Sequence, residues 1–154
     1  MTYEQIILKL SAICAHAEHC KDDMRRKMLR WDIDEETQQR VLDYLVKERY
    51  IDEERYTRYF INDKIKYNKW GRKKVEQALY LKHIPQDISR PLLDEIDDAS
   101  YLDILLPLLK TKRKSTKGNS DYEIRMKLIR FAMGRGFSYE QSQNALSQIG
   151  LDEE

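Results

Sequence analysis

The chain has 154 residues, of which 41% are hydrophobic and 36% are charged, and its formal net charge is +1. This balance excludes a uniformly basic protein but leaves room for local basic patches. Two cysteines are too few for a disulfide framework, and no apolar run is long enough to cross a bilayer. Because the first residues, MTYEQ, do not form a signal peptide, we expect a cytoplasmic protein with no membrane partner.

Helical periodicity runs through the whole sequence, which has only five glycines, three prolines and little alternation of β-branched residues. It predicts an all-α protein. The first helix is expected from about residue 2 to 17 and the second from about 21 to 31. A third should follow Asp34, whose side chain can cap it. The residues expected to face the core are Ile6, Leu10, Ile13, Cys14, Ala17, Met24, Met28, Trp31, Val41, Leu42 and Leu45.

The segment 50–74, YIDEERYTRYFINDKIKYNKWGRKK, contains a helix start, an amphipathic helix, a break and a basic second start. Asp52 can accept hydrogen bonds from the first amides of a helix, and the next two glutamates suit the positive end of its dipole. Gly71 favours a turn or a cap, and Trp70 can wedge between helices. From residue 64 to 74 no acidic residue occurs among six basic ones, which are Lys64, Lys66, Lys69, Arg72, Lys73 and Lys74.

The spacing of the apolar residues recurs three times along the chain. The first copy has Ile33, Val41, Leu42 and Leu45; a shift of 51 gives Ile84, Leu92, Leu93 and Ile96; a further shift of 53 gives Phe137, Ala145, Leu146 and Ile149. Residues suited to a helix start, Asp34, Pro85 and Ser138, follow the first member of each set, and Ser138 with Gln141 forms a capping-box pattern. The pattern therefore predicts three tandem three-helix repeats, at 1–51, 52–97 and 98–154.

The third copy departs most from this pattern. Pro107 lies inside SYLDILLPLLK, where it is expected to kink or break the helix. The following residues 110–119, KTKRKSTKGN, are expected to form a mobile basic loop or an extension of the helix.

Three linked motifs in the second copy resemble the RecX family, which regulates the bacterial recombinase RecA. They are YIDEERY at 50–56, YFINDK at 59–64 and KWG at 69–71, with Ile84 closing the next helix. The resemblance independently implies three three-helix repeats in an elongated, curved array. It also implies a non-enzymatic regulator that binds in the groove of the RecA–single-stranded DNA filament. Such binding would mainly inhibit strand exchange, ATP hydrolysis and the coprotease activity in DNA repair and the SOS response.

The basic cluster at 64–74 could bind phosphates or an acidic protein groove, with Trp70 either stacking or wedged in the core. The plain alternative is a solvated helix junction. The basic group at 112–114 could contact nucleic acid, or it could belong to a disordered linker. If the repeats stack alike, cations on the second helix of each would form a discontinuous positive stripe. The candidate partner- or nucleic-acid-binding residues are Arg55, Lys64, Lys69, Trp70, Arg72, Lys73, Lys74, Lys112, Arg113, Lys114, Arg125 and Arg130.

Neither a metal site nor a catalytic site is predicted. Cys14, His16, His19 and Cys20 are close in sequence, but on a continuous helix Cys14 and His16 point in nearly opposite directions. Buried thiols and surface histidines explain them better than zinc does. The sequence has no phosphate-binding glycine loop, HExxH helix or nucleophile elbow, so we expect no cofactor and no enzyme activity.

Two other functions fit the residues. A stand-alone DNA-binding protein could use helix-turn-helix-like pairs around Gly71 or around residues 134–137. A purely structural adaptor could carry the basic patches for solubility. We expect a monomer, since no exposed heptad seam is present.

Overall fold

The computed structural model describes residues 1–151, which form nine helices and no strand. The helices are α1 (Tyr3–His16), α2 (Lys21–Arg30), α3 (Glu35–Lys47), α4 (Glu53–Lys66), α5 (Arg72–Leu81), α6 (Gln86–Asp94), α7 (Asp98–Ser115), α8 (Asp121–Gly134) and α9 (Tyr139–Gln148). The predicted all-α repeat fold is confirmed. The last three residues of the third predicted repeat, 152–154, lie outside the described residues.

Side-chain caps start several of the helices as the sequence predicts. Asp34 accepts a hydrogen bond from the backbone N–H of Thr37 at 3.1 Å, and Asp52 accepts one from the backbone N–H of Arg55 at 3.0 Å. Ser138 and Gln141 form the predicted capping box at the start of α9. Each cap satisfies amides that have no partner within the helix, which fixes where the helix begins.

The second helix of each trio ends in the same way. Asp32, His83 and Gly136 have φ angles of 55°, 59° and 98°, in the left-handed region. The next residue then donates its N–H to the carbonyl five residues earlier, a Schellman closure. These bonds are Ile33 to Met28 (3.1 Å), Ile84 to Leu79 (3.1 Å) and Phe137 to Ala132 (3.2 Å). They recur at the spacings of 51 and 53 that the apolar pattern shows.

The described chain divides into two compact units. The first contains Met1–Phe60 and Leu79–Ser89, and the second contains Ile61–Ala78 and the chain from Arg90 onward. The division crosses all three helices of the second predicted repeat. The partition into repeats at 1–51, 52–97 and 98–154 stays a prediction.

The core of the first unit contains nearly all the residues expected from α1 to α3. Ile13 and Trp31 are only partly buried and pack against its edge. Ala17 is exposed, so its predicted burial is wrong: α1 ends at His16, and Ala17 has an extended backbone. The fully buried members are Ile6, Leu10, Met24, Met28, Val41, Leu42, Leu45 and Ile51.

In the second unit, α7 packs against α8 and α9. Of the predicted kink or break at Pro107, the break does not occur, because α7 continues to Ser115. Leu105 and Leu109 on either side are fully buried, whereas Pro107 is exposed, so the core holds the helix on both sides of the missing amide. Residues 110–115 are therefore the helix extension, and the basic loop is shorter than 110–119.

Polar side-chain contacts join the start of α2 to the α5–α6 loop in the first unit. Asp22 Oδ1 lies 2.8 Å from His83 Nδ1, and Lys82 Nζ lies 2.5 Å from Asp23 Oδ1. Burial alone would raise the pKa of Asp23. The Lys82 ammonium and the backbone N–H of Cys20 outweigh this effect, and the pKa of Asp23 is lowered.

Backbone groups join the start of α5 to the α8–α9 loop in the second unit. Gly71 donates its N–H to the carbonyl of Arg135 at 2.8 Å, and Lys73 donates to the carbonyl of Gly136 at 3.1 Å. The Arg135 guanidinium donates in turn to the carbonyl of Asn68 at 3.0 Å. A Cβ atom on Gly71 would lie 2.4 Å from the Gly136 carbonyl carbon and the Phe137 nitrogen, so no larger residue fits. We call this contact the glycine junction.

Gly71→Ala is expected to lower the free energy of unfolding by about 1–3 kcal/mol, because the new methyl group meets backbone that cannot move aside easily. Gly134→Ala is the matched control: a Cβ there meets nothing within 4 Å, and alanine favours the helix. Urea unfolding followed by circular dichroism measures both. Equal stability of the two variants would contradict the packing described.

Lys82→Met is expected to lower the free energy of unfolding by about 1–3 kcal/mol at neutral pH, because it leaves the Asp23 carboxylate without its ammonium partner. The folded-state pKa of Asp23 is depressed, so this stabilisation exists above the unfolded-state pKa and is lost as the pH falls through the folded-state pKa. Unfolding curves from pH 7 to pH 2.5 should therefore converge in acid. Lys47→Met, at an exposed position, should show a small and pH-independent difference.

Candidate functional site

The predicted basic cluster lies around Trp70, between α4 and α5. Trp70 is half-buried, and its backbone N–H donates to the carbonyl of Lys64 at 3.2 Å. The ammonium groups of Lys64 and Lys74 lie 5.4 Å and 4.8 Å from the centroid of its ring. The ring therefore holds two cations in place, by cation–π attraction, rather than standing open for a nucleic-acid base to stack on it.

The other cations of the cluster differ in how freely they can meet a partner. Arg72 is tied to Glu76 Oε1 at 2.6 Å and to Asp94 Oδ1 at 2.7 Å, and the hydrogen bonds to Glu76 and then to Asp94 raise its pKa. Lys69 and Lys73 are exposed and form no ion pair with any residue in 1–151. Arg72 therefore supports the fold here. Lys66 is exposed too, with its Nζ 5.3 Å from the centroid of the Tyr67 ring, so the cations with neither an ion pair nor a ring contact in residues 1–151 are Lys69 and Lys73.

The second basic group occupies the last turns of α7. Lys112 Nζ lies 4.9 Å from the centroid of the Phe131 ring on α8, while Arg113 is half-buried and Lys114 is exposed. Lys127 Nζ bonds to the carbonyl of Lys117 at 2.6 Å and so fastens the following loop to α8. Residues 112–115 thus belong to the helix extension, and the loop after them has a hydrogen bond to α8 at Lys117.

The two α8 candidates differ in exposure. Arg130 is exposed, but only 7% of Arg125 is exposed, and its Nη1 lies 3.9 Å from the sulfur of Met126. Arg125 is thus buried and adds little to the exposed basic surface, and its part in binding stays a prediction. Its place within α8 faces the core, which periodicity alone did not separate from its basic neighbours.

Arg55 lies in the first unit and has a local structural role. Its guanidinium forms an ion pair with Glu18 and donates to the backbone carbonyl of Arg49 at 3.2 Å. It thereby secures the turn between α3 and α4. We leave Arg55 outside the proposed binding surface.

The cysteines are buried thiols. Burial raises the pKa of Cys14 and of Cys20 to about 11, so both are protonated at neutral pH. Among residues 1–151, no three histidine, cysteine or acidic side chains are close enough to hold a metal ion. No helix in that range is both long and apolar enough to cross a membrane.

A groove in the second unit contains residues that sequence reasoning missed. Its volume is about 880 Å³, and it opens beside the glycine junction. Its walls come from the first turns of α5, the start of α7 and the α8–α9 loop. The sequence could not bring these parts together, because they are up to about 70 residues apart. The lining residues used below are Arg72, Lys73, Glu76, Tyr101, Met133 and Tyr139.

Two protein-family models match this chain. A family model described as the second three-helix domain of RecX matches residues 52–90, and one described as the third matches residues 99–146. Together they cover more than half of the chain. The matched ranges contain the cluster around Trp70 and both sides of the glycine junction.

Several curated relatives carry the same name. Regulatory protein RecX of Chlorobium limicola is 28% identical over 142 residues, which are 92% of this chain and 86% of that protein. Regulatory protein RecX of Clostridium perfringens strain SM101 is 28% identical over 133 residues, 85% of this chain. The chain spans only 62% of that relative's length.

Two solved structures share the fold. The crystal structure of RecX from Lactobacillus salivarius superposes with a TM-score of 0.83 at 16% identity, covering 97% of each chain. A second, described as regulatory protein RecX, gives a TM-score of 0.84 at 16% identity and covers 96% of this chain and 72% of the other. With two domain matches and this agreement in fold, the chain belongs to the RecX family of regulatory proteins.

Proposed function

We propose that this chain regulates RecA by binding in the groove of the RecA–single-stranded DNA filament. Bound there, it modulates, and mainly inhibits, the recombinase, ATPase and coprotease activities in DNA repair and the SOS response. The family membership and the names of the relatives support regulation. The filament as partner follows from the family resemblance carried by YIDEERY, YFINDK and KWG.

The observation that carries the proposal is the pair of unpaired, exposed lysines beside a rigid support. Lys69 and Lys73 flank the Trp70–Gly71 turn, and the glycine junction holds the backbone between them. The held backbone sets where these two side chains leave the chain, and the attraction of their charges for a nucleoprotein polyanion depends on salt. Lys64 and Lys74 at the Trp70 ring add charge to the same surface.

A stand-alone helix-turn-helix protein is the second candidate, favoured by the three cations that begin α5. A recognition helix reads the major groove with its N-terminal residues. Here the first turn of α5 packs against the α8–α9 loop, and the N–H of Lys73 is already bonded to Gly136. The fold thus already uses the backbone amides at this end of α5, which are no longer available to a phosphate, and we favour the filament.

The double variant Lys69→Glu with Lys73→Glu is expected to weaken binding to RecA filaments about tenfold or more, because both free charges are reversed. Lys47→Glu with Arg90→Glu is the matched control: both positions are exposed, and the change in net charge is the same. Co-sedimentation and RecA-dependent ATP hydrolysis on single-stranded DNA measure the effect. Equal inhibition by wild type and by the Lys69/Lys73 variant would rule out this surface, and the difference should shrink as salt rises.

Binding to filaments is expected to be at least about tenfold tighter than to naked DNA at physiological salt, because contacts to successive subunits add to one another. Fluorescence anisotropy can compare three labelled samples. They are single-stranded DNA alone, duplex DNA alone, and single-stranded DNA coated with RecA. Tight binding to bare duplex DNA would favour the stand-alone DNA-binding protein instead.

A further inference from the structure

The groove beside the glycine junction has an aromatic base and an apolar rim. Tyr101 of α7 and Phe137 of the α8–α9 loop meet edge to face, with ring centroids 6.4 Å apart. At the rim, 46% of Met133 and 43% of Tyr139 are exposed. Aromatic and methionine side chains exposed together are typical of protein-binding surfaces.

A buried hydroxyl in the groove wall has no partner. Tyr101 is only 3% exposed, and its phenol oxygen makes no hydrogen bond within residues 1–151. Burial raises its pKa to about 12, so the phenol is a hydrogen-bond donor at neutral pH. The charges of Arg72, Glu76 and Asp98, which line the same groove, and of Asp94 also act on this pKa. A buried donor without an acceptor is costly, and an oxygen from a bound molecule would remove the cost.

The signs of the surrounding charges indicate the class of that molecule. Lys73 has no ion-pair partner among the described residues, and the Lys74 ammonium, which also lines the groove, lies 4.8 Å from the centroid of the Trp70 ring. Arg72 is paired with Glu76 and Asp94, and the carboxylate of Asp98 also lines the groove. A nucleic-acid backbone would bring phosphates close to these carboxylates. A peptide with one carboxylate beside an apolar side chain matches Lys73, which is exposed and has no ion pair within residues 1–151, and the apolar rim.

We propose that this groove binds an extended peptide segment of the RecA protein, which makes it a protein-docking site and not a DNA-binding site. An aliphatic or aromatic side chain packs between Met133 and Tyr139. A backbone carbonyl accepts from the Tyr101 hydroxyl, and an acidic side chain pairs with Lys73. This inference rests on the proposed function, since it assigns the filament's protein component to this groove.

Photo-crosslinking of the full chain tests the class of partner. Tyr139→p-benzoylphenylalanine puts the probe in the groove, and Tyr122→p-benzoylphenylalanine is the control, because Tyr122 is 70% exposed and does not line the groove. On purified RecA filaments with labelled single-stranded DNA, we expect a crosslink to RecA from position 139, at least fivefold above that from 122. A crosslink to DNA, or equal yields, would overturn the proposal. Filaments that bind the chain but give no crosslink from 139 would overturn the groove alone, whereas no binding by the wild type would overturn the proposed function as well.

Tyr101→Phe tests the hydroxyl separately. It should weaken filament binding about three- to tenfold, the loss expected for one hydrogen bond. The melting temperature should stay equal or rise, because a buried group without a partner is removed. Unchanged affinity would show that the hydroxyl has no ligand. Lower affinity together with a lower melting temperature would assign Tyr101 to the fold alone.

Discussion

The contact of Gly71 with Gly136 is the constraint on which the second unit depends. Two backbones approach so closely that neither position has room for a Cβ atom, and Gly136 also needs its positive φ of 98°. The contact fixes where α5 starts, and thereby the positions of Trp70, Lys73 and Lys74. It also fixes one wall of the groove. Trp70 and Gly71 thus have separate roles. Gly71 permits the close contact with Gly136, and the ring of Trp70 supports the lysines next to it.

In the first unit, side chains make the corresponding contact, between the start of α2 and the α5–α6 loop. Cys20, which precedes α2, corresponds to Gly71 at the spacing of 51, and Lys82 and His83 correspond to Arg135 and Gly136 at the spacing of 53. Here Asp22 contacts His83 and Asp23 forms an ion pair with Lys82, where the second unit uses amides and carbonyls. The same secondary-structure contact therefore depends on protonation in one unit and not in the other, because backbone groups do not titrate.

Much of this fold follows from local rules that the sequence displays. The apolar spacing and the caps at Asp34, Asp52 and Ser138 report interactions within a few residues, so a single sequence suffices to see them. The continuation of α7 through Pro107 could not be seen, because burial of Leu105 and Leu109 outweighs a local helix-breaking preference. The burial of Arg125 could not be seen for a related reason: charge suggests the surface, but its position on α8 faces the core. The groove joins three distant segments, and no local pattern encodes it.

The basic residues at the start of α5 are unfavourable for helix stability but suit binding to a partner. Helix dipoles favour acids in the first turn, by about 0.3–1 kcal/mol each, and α3 and α4 begin with paired glutamates. Helix α5 instead begins with three cations and has no acid in its first turn. Arg72 is compensated by Glu76 and Asp94, but Lys73 receives no such partner among the described residues. Lys73 thus lies in the first turn of α5, where an acidic residue would stabilise the helix. This arrangement suits a binding surface, because the partner can supply the missing negative charge.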